Sequence, residues 1–216
     1  MKNIFHYDSP LNRFLSRVVD LVFLNLLWTV CCIPVITIGA STTAMYVCLR
    51  RLDSDTGHVA QNFFQAFRAR FRVATCFWLG ILVVAAALIW NFWLLYAWDF
   101  TGKTVLLVFL VAILALVLML VSWFFPLLAA YDEGLKKSFR NSAALGLLHP
   151  WTSLELMVLN ALPAALLLFR TDWFNYSLIF WALIGEAVIA WLCHLLTASV
   201  FRKHTEDEPQ ATKPRQ

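Results

Sequence analysis

Residues 73–98 read VATCFWLGILVVAAALIWNFWLLYAW, a run without a single Asp, Glu, Lys or Arg. A helix of about 20 such residues crosses a hydrocarbon core about 30 Å thick. After a short polar turn carrying Asp99 and Lys103, residues 104–131 repeat the pattern as TVLLVFLVAILALVLMLVSWFFPLLAAY. Backbone N–H and C=O groups find no water in lipid, so only helices or a closed barrel can span it. The period-2 alternation of a membrane barrel is absent, which leaves helices. The fold class is therefore all-α: a polytopic bundle of five to six membrane segments, with the lipid bilayer as its first partner.

The whole composition agrees. The chain is 61% hydrophobic and 14% charged, against about 45–50% and about 25% for soluble domains. Its net charge of +4 is modest. That charge points to anionic headgroups and not to nucleic acid. The apolar segments fall at about 15–35, 36–50, 73–98, 104–131, 152–169 and 174–200. They read as one domain over residues 1–204, followed by a polar tail, 205–216, expected to be disordered. Met1–Arg17 lacks a basic start leading into a small-residue cleavage site, so the first apolar segment is expected to be a retained anchor.

Leu21–Leu49 needs a separate argument. It is free of charge throughout, and as one straight helix it would run about 44 Å, longer than a bilayer core. Pro34 stands in its middle, within Ile33-Pro34-Val35-Ile36-Thr37-Ile38-Gly39. Proline removes a helix hydrogen bond and clashes with the preceding turn, so a break is expected there. A single crossing would divide the 17 Lys and Arg into 5 and 12. A hairpin returning to its starting side divides them into 15 and 2, with only Lys103 and Arg170 outside. The positive-inside rule prefers the hairpin. It places both termini in the cytoplasm, and leaves open whether the hairpin spans or re-enters.

The inner connections are amphipathic. Phe63, Phe64, Phe67 and Phe71 share one helical face, with Arg68, Arg70 and Arg72 around it. Leu135–Leu148 repeats the design with Lys136, Lys137 and Arg140. Each is expected to be an interfacial helix lying in the headgroups on the cytoplasmic side. Trp93, Tyr96 and Trp98, then Trp173 and Tyr176, gather at the outer turns, the depth that amphipathic rings favour.

Polar residues inside apolar spans are the candidates for function. Glu186 is a carboxylate deep in the last span, and such groups are costly enough to be functional candidates by default. His194 follows two turns later on about the same face, so the pair could relay a proton or bind a cation. The alternative is a protonated carboxyl that ties helices together. Asn25, Asn91 and Asn160 also sit within spans, either lining a polar path or joining helices. Gly39/Thr43 and Ala40/Ala44 are small-residue pairs that allow close helix approach.

No metalloprotease, nucleophile-elbow or phosphate-loop motif occurs. No enzyme activity, cofactor, catalytic residue or metal site is expected. Cys31, Cys32, Cys48, Cys76 and Cys193 lie in or beside apolar segments without a C-x-x-C pair, and read as small buried hydrophobes.

The stretch Asn25-Leu26-Leu27-Trp28, followed by Ile33-Pro34-Val35-Ile36-Thr37-Ile38-Gly39-Ala40-Ser41-Thr42-Thr43-Ala44, resembles the YesL-like family of uncharacterised bacterial membrane proteins. The resemblance continues through Phe63–Thr75 and fades after about Ser153. Members of that family often lie beside genes for carbohydrate ABC transporters and glycan degradation. The resemblance thus implies an association with sugar uptake, and singles out Asn25, Pro34, Thr37 and Gly39. The expected function is a non-enzymatic accessory of ABC-type carbohydrate transport, with sugar permease subunits as partners. The alternative is a small ion- or proton-coupled transporter that uses Glu186.

Overall fold

A computed structural model describes residues 10–52, 58–98, 102–131, 134–168 and 184–207. Among these, the chain forms α1 (Pro10–Cys32), a 3-10 turn (Val35–Thr37), α2 (Ile38–Arg51), α3 (Val59–Ala97), α4 (Lys103–Ala130), α5 (Leu135–Leu148), α6 (Pro150–Leu168) and α7 (Glu186–Asp207). The described residues contain no strand, and the all-α membrane bundle expected from the charge-free runs is the observed architecture. Leu15–Cys32, α3 and α4 are long and apolar enough to cross a membrane, and Glu186–Phe201 is a shorter apolar helix. The outer turns after Trp98 and around Arg170–Trp173, together with residues 208–216, fall outside the described residues. So does the aromatic pair Trp173 and Tyr176. α7 continues to Asp207, into the start of the segment expected to be a disordered tail.

The break in Leu21–Leu49 is where proline puts it. α1 stops at Cys32, Pro34 is extended (φ −77°, ψ 115°), and one 3-10 turn leads into α2. The hydroxyl of Thr37 lies 2.6 Å from the Cys31 carbonyl and 2.7 Å from that of Pro34. It thereby serves the Cys31 carbonyl, which the end of α1 leaves without an intrahelical donor, while the Pro34 carbonyl also accepts the Thr37 backbone N–H at 3.0 Å. Trp28 Nε1 donates to Thr42 Oγ1 across the break at 3.2 Å, so α1 and α2 are antiparallel limbs of one hairpin.

Gly39 is not part of this break. It is the second residue of α2, helical and buried. A Cβ there would lie 2.7 Å from both the Ala74 carbonyl oxygen and Trp78 Cβ. The glycine lets α2 and α3 touch backbone to backbone, as the small-residue pairs imply. Ala40, Thr43 and Ala44 on the same helix are wholly buried.

α3 departs from expectation. The amphipathic Phe63–Arg72 stretch is no separate interfacial helix; it is continuous with the apolar run, in one helix of 39 residues. At 1.5 Å per residue that is about 58 Å. No proline stands between Val59 and Ala97, and charge marks a change of solvent without ending a helix. The helix has two unlike halves. From Val59 to Trp78 it runs antiparallel to α2, with Cys48 Sγ 3.9 Å from the Val59 carbonyl and the indole N–H of Trp78 donating to Val35 O at 2.8 Å. The tip of the first hairpin therefore stands beside the midpoint of α3. Beyond it, α3 pairs with α4 through the small cluster Leu88, Leu95 and Leu110. Outward-facing Val83 and Ile89 there are 71% and 70% exposed.

The main core lies beside the lower half of α3. Leu24, Met45, Phe63, Phe77, Trp123, Phe124, Leu156 and Cys193 bring α1, α2, α3, α4, α6 and α7 together. α5 lies against α4, where Gly146 meets Met119 so closely that a Cβ would come within 2.9 Å of its side chain.

Candidate functional site

The interior polar residues sort into ties and a cavity. Asn25 is fully buried, and its Oδ1 accepts a hydrogen bond from the backbone N–H of Ala187 at 2.9 Å. The first N–H groups of a helix have no intrahelical acceptor. Asn25 on α1 thus caps α7 from 162 residues away in sequence, just after a π-type turn at Ile184–Gly185. Asn160 Nδ2 donates to Leu156 O at 2.7 Å, and stands 3.4 Å from Ser122 Oγ and 3.7 Å from Cys193 Sγ. It joins α6 to α4 and α7. Asn91 bonds back to Ala87 O on its own helix at 2.8 Å, in the outer half of α3 away from the other two.

A cavity of about 140 Å³ lies where α1, α2, α3, α4, α6 and α7 converge. Glu186 enters it from the first turn of α7, and Asn160 borders it from α6. Aromatic side chains line much of the rest: Trp28, Tyr46, Trp78 and Phe125. Glu186 is close enough to Tyr46 and Cys193 to interact with them electrostatically. Among the described residues, no hydrogen bond joins its carboxylate to another side chain or backbone group, and no Lys, Arg or His lines the cavity. His194, two turns further along α7, lies outside the lining. The five polar candidates are therefore not one path: Glu186 and Asn160 meet, Asn25 caps, and Asn91 and His194 stand elsewhere. Among the described residues no group of His, Cys, Asp and Glu could hold a metal ion.

The basic residues also divide. Arg68 and Arg72 are exposed, whereas Arg70 is half-buried and turns inward. Its guanidinium donates to the Leu128 carbonyl, and to that of Tyr131 at 3.0 Å. A cation at a helix C-terminus meets both the free carbonyls and the negative end of the dipole, so Arg70 caps α4. On α5, Lys136, Lys137 and Arg140 are exposed. The buried face of α5 is Ser138, Ser142 and Gly146, while Phe139 and Leu147 face outward at 47% and 73% exposure. Small residues inside with large apolar ones outside invert the pattern of a helix facing water. It is the pattern of a helix lying against lipid or another protein.

Residues 21–92 match the model of a family described as a protein of unknown function, DUF624. The matched stretch is about a third of the chain, and contains most of α1, all of α2 and most of α3. It supplies Asn25, Pro34, Thr37 and Gly39, together with Trp28, Tyr46 and Trp78 of the cavity. Phe125, Asn160 and Glu186 come from outside it. Comparison with curated proteins and with solved structures gives no significant match.

The aromatic lining was not foreseen from the sequence. One signal was available: Trp28 and Trp78 stand well inside their apolar segments, away from the outer turns where interfacial tryptophans gather.

Proposed function

We propose that the chain is a non-enzymatic component of the bacterial cell membrane that assists carbohydrate uptake by docking to a sugar permease on the cytoplasmic side. The observation that carries this reading is α5. Its cations Lys136, Lys137 and Arg140 and its large apolar residues Phe139 and Leu147 are exposed together, and Arg68 and Arg72 on α3 are exposed as well. The interior asparagines are meanwhile taken up as ties between or within helices, which argues against a continuous polar path for a sugar. The YesL-like resemblance, carried by Asn25–Ala44 within the matched stretch, supplies the link to sugar uptake. Both termini and the basic surface are cytoplasmic in this reading. The first hairpin is re-entrant, because its tip stands beside Trp78, only about 9 Å along the helix from Arg72, the last charge before the apolar run.

The test is purification of the tagged chain from its host in mild detergent, followed by mass spectrometry. A permease subunit in constant ratio is expected. It should be lost when Lys136, Lys137 and Arg140 are changed to Glu, with no loss of the chain from the membrane. A chain that arrives alone rejects the reading. Ion-coupled flux in vesicles holding only this protein, abolished by Glu186→Gln at equal abundance, would establish the transporter alternative.

A further inference from the structure

We propose that the cavity at Glu186 binds an ammonium group, carried either by a small free amine or by a lipid headgroup. This goes beyond the docking role and does not depend on it. A carboxylate within a membrane bundle is costly unless it is paired or neutral. Among the described residues, none lining the cavity offers it a hydrogen bond or a cationic side chain. They offer four aromatic rings. Trp28, Tyr46, Trp78 and Phe125 border the same space, and the negative faces of such rings attract cations within about 6 Å. Rings plus one carboxylate make up the chemistry of an alkylammonium site.

Three observations narrow the choice. The indole N–H groups of Trp28 and Trp78 already donate to Thr42 Oγ1 and Val35 O. Those bonds hold the rings in place and leave few donors for an anion. The Ala187 N–H at the head of α7 is occupied by Asn25, which removes the feature that would otherwise favour an anion there. Calcium sites draw several oxygen ligands from the protein, and among the described residues the lining has a single carboxylate. Size fits as well. A cavity of about 140 Å³ has room for a group of a few heavy atoms. Ethanolamine and tetramethylammonium are groups of that order.

The experiment is calorimetric titration of the purified full chain in detergent with tetramethylammonium, ethanolamine and tert-butanol, the last a neutral group of similar size. Ammonium binding without tert-butanol binding is expected. Glu186→Gln should weaken it about tenfold or more. Phe125→Leu, which keeps the carboxylate and removes one ring, should weaken it roughly two- to thirtyfold. The second variant decides the matter should the first fail to fold. A short-chain phosphatidylethanolamine is titrated in parallel. Binding of that lipid alone, with the same two dependences, identifies a headgroup site; binding of the free amines identifies a soluble ligand. Equal binding of tert-butanol, or displacement by sodium chloride at matched concentration, overturns the proposal. So does the absence of binding by every ammonium compound.

Discussion

The two halves of α3 are built from similar apolar residues and used in opposite ways. From Val59 to Trp78 the helix is clasped by α2 and packed into the main core, with Phe63, Ala74 and Phe77 buried. From Leu79 to Ala97 it meets α4 along one narrow seam and turns most of its apolar side chains outward. Hydropathy alone does not tell protein-facing from lipid-facing surface, because lipid tails are as apolar as leucine. The difference lies in what each half meets: Gly39 of α2 touches the first half at Ala74 and Trp78, and Arg70 and Trp78 supply polar ties from it to α4 and to the turn before α2.

The two glycines of this comparison give its sharpest test. Gly39→Ala would press a Cβ into Ala74 O and Trp78 Cβ, both held by the α3 backbone. It is expected to cost about 3 kcal/mol, the upper part of the overpacking range. Thermal unfolding in detergent should show it as a large drop in midpoint. Gly80→Ala, two residues past Trp78 on α3, meets nothing within 4 Å. It should raise the midpoint, since alanine in a helix is worth about 0.5–1 kcal/mol over glycine. Equal effects at the two positions would erase the distinction between the halves.

A smaller loss is expected from Asn25→Ala. It leaves the buried Ala187 N–H without its acceptor, at a cost of about 2 kcal/mol. Hydrogen exchange should quicken at the start of α7 and stay unchanged in the outer half of α3; uniform exchange would mean that Asn25 is not a local cap. The mildest change concerns the arginines. Arg70→Ala removes the cap on α4 and should cost about 1 kcal/mol, within the range for a charge at a helix end. Arg68→Ala and Arg72→Ala should fall within about 0.5 kcal/mol of the parent, as surface substitutions do. Three equal effects would return Arg70 to the exposed basic surface.

Much of the fold was legible because its signals are local. Charge-free length marks the spans, and Pro34 stops α1 within two residues of where it stands. The continuous α3 was misread because the arginines at 68–72 were taken as the end of an element. They record where the surroundings change, and a helix without a breaker runs through such a boundary. The site was less legible. Glu186 stands out by burial cost, and Asn25 by its place in the motif. That Glu186 shares a cavity with Trp28, Tyr46, Trp78 and Phe125 follows from the convergence of six helices, which no spacing encodes.

By itself the sequence determined that this is a membrane bundle of helices and that its first hairpin turns at Pro34. These follow from solvation cost and backbone geometry, which act residue by residue. Only the tertiary structure decided that Gly39 is a contact and no hinge, and that Arg70 caps α4 while its neighbours stay exposed. It also decided that Asn25 holds the head of α7, and that Glu186 lines one cavity with four aromatic side chains. Each of these depends on a partner distant in the chain, and the pairing is fixed by close packing of whole helices.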